Sequence, residues 1–454
     1  MSADTNNKGY WLRSGLLSLI QNFSGVFFGF ASFYLLVRVL NKDEYGSWVL
    51  FMAVVTILEA VRTGLIQTAL IRHISGNARD EHAEIVGGAI VLSAVTTLIC
   101  ILANTFLAGY LATLWSTPEL RQLFLLYNIV FLISGVLNIL NCIEQANLSF
   151  KGNFAAGLIR QGFLFLFVGF AYVTNYTISL QELVWVLGFN VTLATIFAYH
   201  FAKPYLTVAF NKVRYWVKQL LNFGKYGFGT FVSSLLSGTI DQMMLGAMLS
   251  PAASGAFNIA VRITNLIDIP TNAMATIVFP QSAKRMASEG ESAVKYLYEK
   301  SVGITLGILL PGILFLYFFA EWVITLLAGG QYQDSIPLLK ITLLYALLIP
   351  FGRQFGTILD SIGKPKITFS VVLLTTVLNL VLNYYLIRSI GVMGAAYATL
   401  ISNFIGFLLG QLVLKHFIGV KLGNVFIYMK EFYVTFFKSY LKFGIDFIFK
   451  NKKK

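Results

Sequence analysis

Several charged and carboxamide side chains sit inside otherwise apolar stretches of this chain. Glu59 and Arg62 lie three residues apart in one such run, a spacing that lets them pair on one helix. Asp241 lies in a second run. A third carries Asn258, Arg262, Asn265 and Asn272 on one helical face, with Asp268 beside them. Arg353, Thr357 and Asp360 share a face of a fourth. A charge inside hydrocarbon is costly, and by default it faces a bundle interior or a wet cavity. Arg262 therefore reads as an anion contact, with Asp241 as its gate or counter-ion.

A structural reading stays open beside that one. Asp241 lies nine residues before Ser250 and Arg262 seven after Gly255, so adjacent antiparallel helices would hold the two at similar depth, about 11–14 Å from their loop. They would then pair simply to hold helices together. Arg62 is likewise either a cavity residue or the local partner of Glu59. Asp360 approaches a span end and reads as snorkelling, whereas Arg160 and Lys340, near span ends, read as structural. Asn138, Asn141, Glu144 and Gln145 cluster in one run, where interhelical hydrogen bonding is the expectation. Motifs of soluble enzymes are missing. There is no Walker A sequence, and His73, His82, His200 and His416 show no metal-ligand spacing. The expectation is a protein that is not an enzyme and holds no cofactor and no metal.

These residues need apolar elements to position them, and the composition supplies such elements. Of 454 residues, 57% are hydrophobic and 12% charged, and the mean hydropathy is +0.73. Soluble domains are about 25% charged, so this is an all-α integral membrane protein. Twelve stretches are long enough to cross about 30 Å of hydrocarbon: 12–37, 46–72, 85–115, 120–147, 154–176, 182–203, 222–249, 255–280, 300–327, 336–360, 366–388 and 391–415. The first lacks a cleavage site after a short apolar core, so it reads as a retained transmembrane helix. With the N-terminus placed in the cytoplasm, only Arg38, Lys42, Arg121 and Arg388 fall on the far side; the other loop lysines and arginines fall on the near side. That asymmetry predicts an even number of spans with both termini cytoplasmic. The net charge of +14 then reads as loops facing anionic lipid, with no nucleic-acid partner. Cys100 and Cys142 lie in apolar runs and imply no disulfide. Beyond residue 418, lysines alternate with Phe426, Tyr428, Phe432, Phe436 and Phe437, the pattern of an interfacial amphipathic helix.

The chain also repeats. An offset of 209 positions lays Tyr45-Gly46-Ser47-Trp48 on Ser254-Gly255-Ala256-Phe257, and Glu59 on Asp268. It also lays the stripe Gln21, Gly25, Phe28, Ser32 on Thr230, Ser234, Ser237, Asp241, both one helical face. The expected organisation is an N-terminal six-helix lobe over 1–203, a basic linker over 204–221, a C-terminal six-helix lobe over 222–418 and a tail over 419–454. Parallel repeats of this kind suit alternating access.

Four motifs carry a family resemblance. Arg38-Val39-Leu40-Asn41-Lys42-Asp43-Glu44-Tyr45-Gly46 resembles the loop after the first helix of polysaccharide repeat-unit flippases, the Wzx-type family. Ile240-Asp241-Gln242-Met243-Met244-Leu245-Gly246 resembles their seventh-helix signature, Gly255-Ala256-Phe257-Asn258-Ile259-Ala260 the segment after it, and Phe279-Pro280 the end of their eighth helix. Gln242 replaces the arginine that often follows the aspartate in that family. The superfamily also holds lipid II flippases and MATE-type multidrug antiporters.

The resemblance implies two lobes around a V-shaped cavity and translocation of an undecaprenyl-pyrophosphate-linked oligosaccharide across the bacterial inner membrane. O-antigen, capsule or exopolysaccharide would be the product, with a polymerase and chain-length proteins as partners. Arg62 and Arg262 match its cavity arginines on the second and eighth helices. In that picture Arg62 and Arg262 contact the diphosphate; Asn258, Asn265, Asn272, Gln21 and Asn22 bond sugar hydroxyls; Arg353 is a further substrate-binding residue of the cavity; and Glu59, Asp241 or Asp268 takes a coupling Na+ or H+. The alternatives are a cation-coupled antiporter, weakened because the first helix lacks an internal Asp, Glu or Pro, and a membrane polymerase or transferase, which lacks a catalytic cluster.

Overall fold

The structure is a computed structural model that describes the backbone of residues 8–147, 149 and 151–451, with side chains described throughout these except at 8–23, 225–234, 237 and 439–451. Every regular element among the described residues is helical. The chain runs through α1 (Lys8–Val39), α2 (Lys42–Gly76), α3 (His82–Leu114), α4 (Glu119–Ala146), α5 (Lys151–Thr174), α6 (Leu180–Ala202), α7 (Val213–Met248) and α8 (Pro251–Thr264). It continues through α9 (Asp268–Ser288), α10 (Glu291–Phe318), α11 (Ala320–Ala328), α12 (Ser335–Ala346), α13 (Ile349–Ser361), α14 (Pro365–Ile390), α15 (Val392–Ile418) and α16 (Leu422–Asn451). Each of the twelve stretches read from the sequence falls on a helix or a broken helix. Nine helical segments among the described residues are long and apolar enough to cross a membrane. The protein is an all-α membrane protein.

Three stretches expected to be continuous are broken. A 3₁₀ turn at Asn265–Ile267 separates α8 from α9. Pro270 lacks the N–H that would bond Leu266, so the α-helical ladder loses a rung there. Pro350 does the same to Ala346, where α12 ends before α13 begins. The stretch 300–327 divides at Phe319 into α10 and α11; no proline or glycine stands at that break.

The chain forms two compact units, residues 1–255 and 256–454. In the first, Ile66, Ala69, Leu70 and Ile74 of α2 present one face to Ile85, Val86, Ala89 and Leu92 of α3, closed by Ile139 and Ile143 of α4 and by Trp216 and Leu220 of α7. The i, i+3, i+4, i+8 spacing on α2 makes this face. α7 packs antiparallel along α2 at backbone distance. A Cβ on Gly224 would lie 2.1 Å from the Leu65 carbonyl oxygen, and one on Gly246 2.7 Å from Leu50. At the start of α2, a Cβ on Gly46 would lie 1.9 Å from the Pro251 carbonyl oxygen, and one on Gly255 3.1 Å from the Gly46 Cα. The two glycines matched by the internal repeat therefore touch.

In the second unit, Val294, Tyr298, Val302 and Leu306 form an i, i+4 stripe on α10. It packs on Val278 of α9, on Phe351, Phe355, Ile358 and Leu359 of α13, on Leu414 of α15 and on Val425 of α16. α16 is a helix, as expected of the amphipathic tail, and where the sequence predicts an interfacial position it lies along α10. A Cβ on Gly303 would meet the Val425 carbonyl oxygen at 2.6 Å, and the Tyr433 hydroxyl donates to the Gly307 carbonyl at 2.7 Å. At its start, the buried Glu299 carboxylate accepts from the Lys421 amide at 2.7 Å and from Asn424 Nδ2 at 2.9 Å.

Candidate functional site

In the first unit the acid and base of α2 pair with each other. The Arg62 guanidinium donates to the Glu59 carboxylate through Nη2, and through Nη1 to the Phe131 carbonyl of α4 at 2.8 Å. The Ser134 hydroxyl donates to the other Glu59 oxygen at 2.8 Å. Gly135 leaves room for the guanidinium, because a Cβ there would lie 3.1 Å from Nη1 and 3.1 Å from Thr97 Oγ1. Arg62 keeps 1% of its exposure and Glu59 23%. This charge is thus stitched into the α2–α4 packing. Ser134 and the Phe131 carbonyl carry no distinctive signal in the sequence, being a serine and a backbone group in an apolar run.

The second unit arranges its charges differently. Arg353 of α13 grips Asp268, the first residue of α9, with Nη2 at 3.1 Å from Oδ1 and 2.9 Å from Oδ2. The pair is half open, with Arg353 42% and Asp268 33% exposed. Arg262, Asn265 and Asn272 are exposed along the same stretch of α8 and α9. Arg262 Nε donates to Asn258 Oδ1 at 3.2 Å, one turn earlier on α8. Asn258 itself is buried. A membrane-facing surface is apolar, so this exposed row of cation, amide and ion pair is built for water or for a polar ligand. The helix break at Asn265–Ile267 puts Asp268 at the first turn of α9, where the helix dipole favours its negative charge.

The structure thus brings together Glu59 with Arg62, Asn258 with Arg262, and Asp268 with Arg353. Asp241 is buried on α7. Gln21 and Asn22 fall on α1 where side chains lie outside the described residues. Glu144, expected to bond between helices, accepts from the Gly152 and Asn153 amides at 3.2 and 2.8 Å and so caps the start of α5. Lys340 lies over the Tyr317 ring at 5.9 Å from its centroid. Glu44 of the loop motif completes a capping box with Asn41, each side chain bonding the other's backbone amide at 2.9 Å; the Asn-x-x-Glu spacing announces that role. Among the described residues no group of three or more His, Cys, Asp or Glu could hold a metal.

Comparison with known proteins places this geometry. Residues 35–337 match the family described as polysaccharide biosynthesis protein. Over 426 residues the chain is 24% identical to a probable low-salt glycan biosynthesis flippase, Agl15, of Haloferax volcanii, covering 90% of this chain and 84% of that protein. The fold is that of the lipid II flippase MurJ in an inward closed conformation, with a TM-score of 0.73 at 15% identity over 95% of this chain and 93% of the other. It is shared with an inward-facing MATE family multidrug transporter of the MOP superfamily, at a TM-score of 0.72 and 16% identity over 87% and 95%.

Proposed function

The chain belongs to the polysaccharide biosynthesis protein family, and on that premise we propose that it flips undecaprenyl-pyrophosphate-linked oligosaccharide repeat units across the plasma membrane. The product is O-antigen, capsule or exopolysaccharide, and polymerase and chain-length proteins act downstream. The observation that carries the reading is the polar row along α8 and α9, with Arg262, Asn265 and Asn272 exposed and Asp268 half-buried among them. A diphosphate bearing sugars does not cross about 30 Å of hydrocarbon unaided. Arg262 offers a planar fork of charge-assisted donors to the diphosphate, oriented by Asn258. Asn265 and Asn272 offer both donors and acceptors to sugar hydroxyls, as do Gln21 and Asn22 on α1.

The two repeats alternate access to the cavity, with both termini cytoplasmic. Glu59, Asp241 or Asp268 takes the coupling Na+ or proton.

The test is rescue of a flippase-null host. Wild type restores surface polysaccharide, and Arg262→Ala at equal membrane abundance loses most of it. Full polymer with Arg262→Ala removes this reading. If the purified protein instead drives dyes against a sodium or proton gradient and does not rescue the host, the chain is an antiporter.

A further inference from the structure

Resting on that reading, we infer that the Arg353–Asp268 pair is a specificity site for a carboxylated sugar, such as a uronic acid, in the transported repeat unit, and that Asp268 occupies the place of the sugar carboxylate until the substrate arrives. Arg353 presents one nitrogen to both oxygens of a planar carboxylate, at 3.1 and 2.9 Å. What it holds is therefore already the ligand's functional group. An ion pair 42% and 33% exposed contributes little to stability, because water screens it. Its opening costs correspondingly little, so an incoming carboxylate can replace Asp268 in the grip.

Charge selects the ligand further. A carboxylate entering beside Asp268 adds one negative charge to the site, whereas a diphosphate adds more and meets stronger like-charge repulsion. Arg262, whose Nε donates to Asn258 Oδ1, is the arginine that this reading gives to the diphosphate. Arg262 and Asp268 are six residues apart along α8 and α9, roughly 9 Å at helical rise. That separation lets one headgroup reach both with different groups. Asn265, exposed between them in the sequence, offers a donor and an acceptor to sugar hydroxyls.

The experiment uses two hosts that lack their own repeat-unit flippase, one assembling a repeat unit that contains a uronic acid and one assembling a neutral unit. Surface polymer is quantified for the full chain at matched membrane abundance, and the acidic-to-neutral export ratio is the readout. Arg353→Gln lowers that ratio about tenfold, the scale on which removing one charge-assisted hydrogen bond weakens binding. Arg353→Lys, which keeps the charge but not the planar fork, lowers it less. Asp268→Asn, which removes the competing carboxylate, holds the ratio or raises it. A ratio unmoved by Arg353→Gln overturns the inference, including the case in which both polymers fall together, as they would if Arg353 held the diphosphate or only the fold. Wild type that exports the neutral unit alone also overturns it and leaves the flippase reading standing. Wild type that rescues neither host sinks the flippase reading itself.

Discussion

Glu59 and Asp268 are matched by the internal repeat, and each carboxylate holds an arginine, yet the two surroundings have little in common. Glu59 and Arg62 sit one turn apart on α2 and bond further to Ser134 and the Phe131 carbonyl of α4, with the guanidinium almost wholly buried. Asp268 and Arg353 come from different helices, α9 and α13, and meet where both remain in reach of water. The same chemical pair therefore serves packing in one unit and stays exchangeable in the other. A buried pair is strongly destabilised by losing one member, whereas an exposed pair is nearly indifferent.

Breaking the buried pair should produce the largest effect. Glu59→Gln leaves a buried guanidinium without its counter-charge and is expected to cost about 3–5 kcal/mol. The measure is a fall in the thermal midpoint of the detergent-purified protein and in its membrane yield. A second test of the tightness of the first unit is Gly46→Val, where the added side chain runs into the Pro251 backbone. Overpacking of this kind costs about 1–3 kcal/mol, read in the same melting experiment. Glu144→Gln removes the charge from the cap of α5 and is expected to cost about 1–2 kcal/mol, seen as faster proteolysis in the loop before Lys151. The smallest effect is expected in the open pair: Asp268→Asn shifts stability by less than about 1 kcal/mol. A midpoint for Asp268→Asn that falls as far as that for Glu59→Gln would erase the contrast between the units.

Much of this was legible in the residues. Hydropathy and the distribution of lysine and arginine located the twelve stretches, because spanning hydrocarbon leaves few alternatives to an apolar helix of fixed length. The Glu59–Arg62 spacing allowed their pairing, and the repeat matched Gly46 to Gly255, which the fold brings together. Asp268 and Arg353 each stood out, but their meeting did not, since it joins residues 85 apart on helices whose packing no local spacing encodes. The breaks at Asn265–Ile267 and before Ile349 were hidden in apolar runs, although Pro270 and Pro350 mark them in retrospect. Glu299 and its cap on α16 are not legible there, because one glutamate near a span end looks like any other solvated charge.

That last interaction bears on how the protein is made. The backbone amide and carboxamide that satisfy Glu299 belong to Lys421 and Asn424, more than a hundred residues downstream. At about 5–20 residues per second, the ribosome needs on the order of ten seconds to supply them after α10 has emerged. Throughout that interval the carboxylate and the bare Gly303–Gly307 flank of α10 wait for the final helix. The second unit is therefore completed last-in, and a nascent chain released before residue 421 would present quality-control proteases with an unfinished seam.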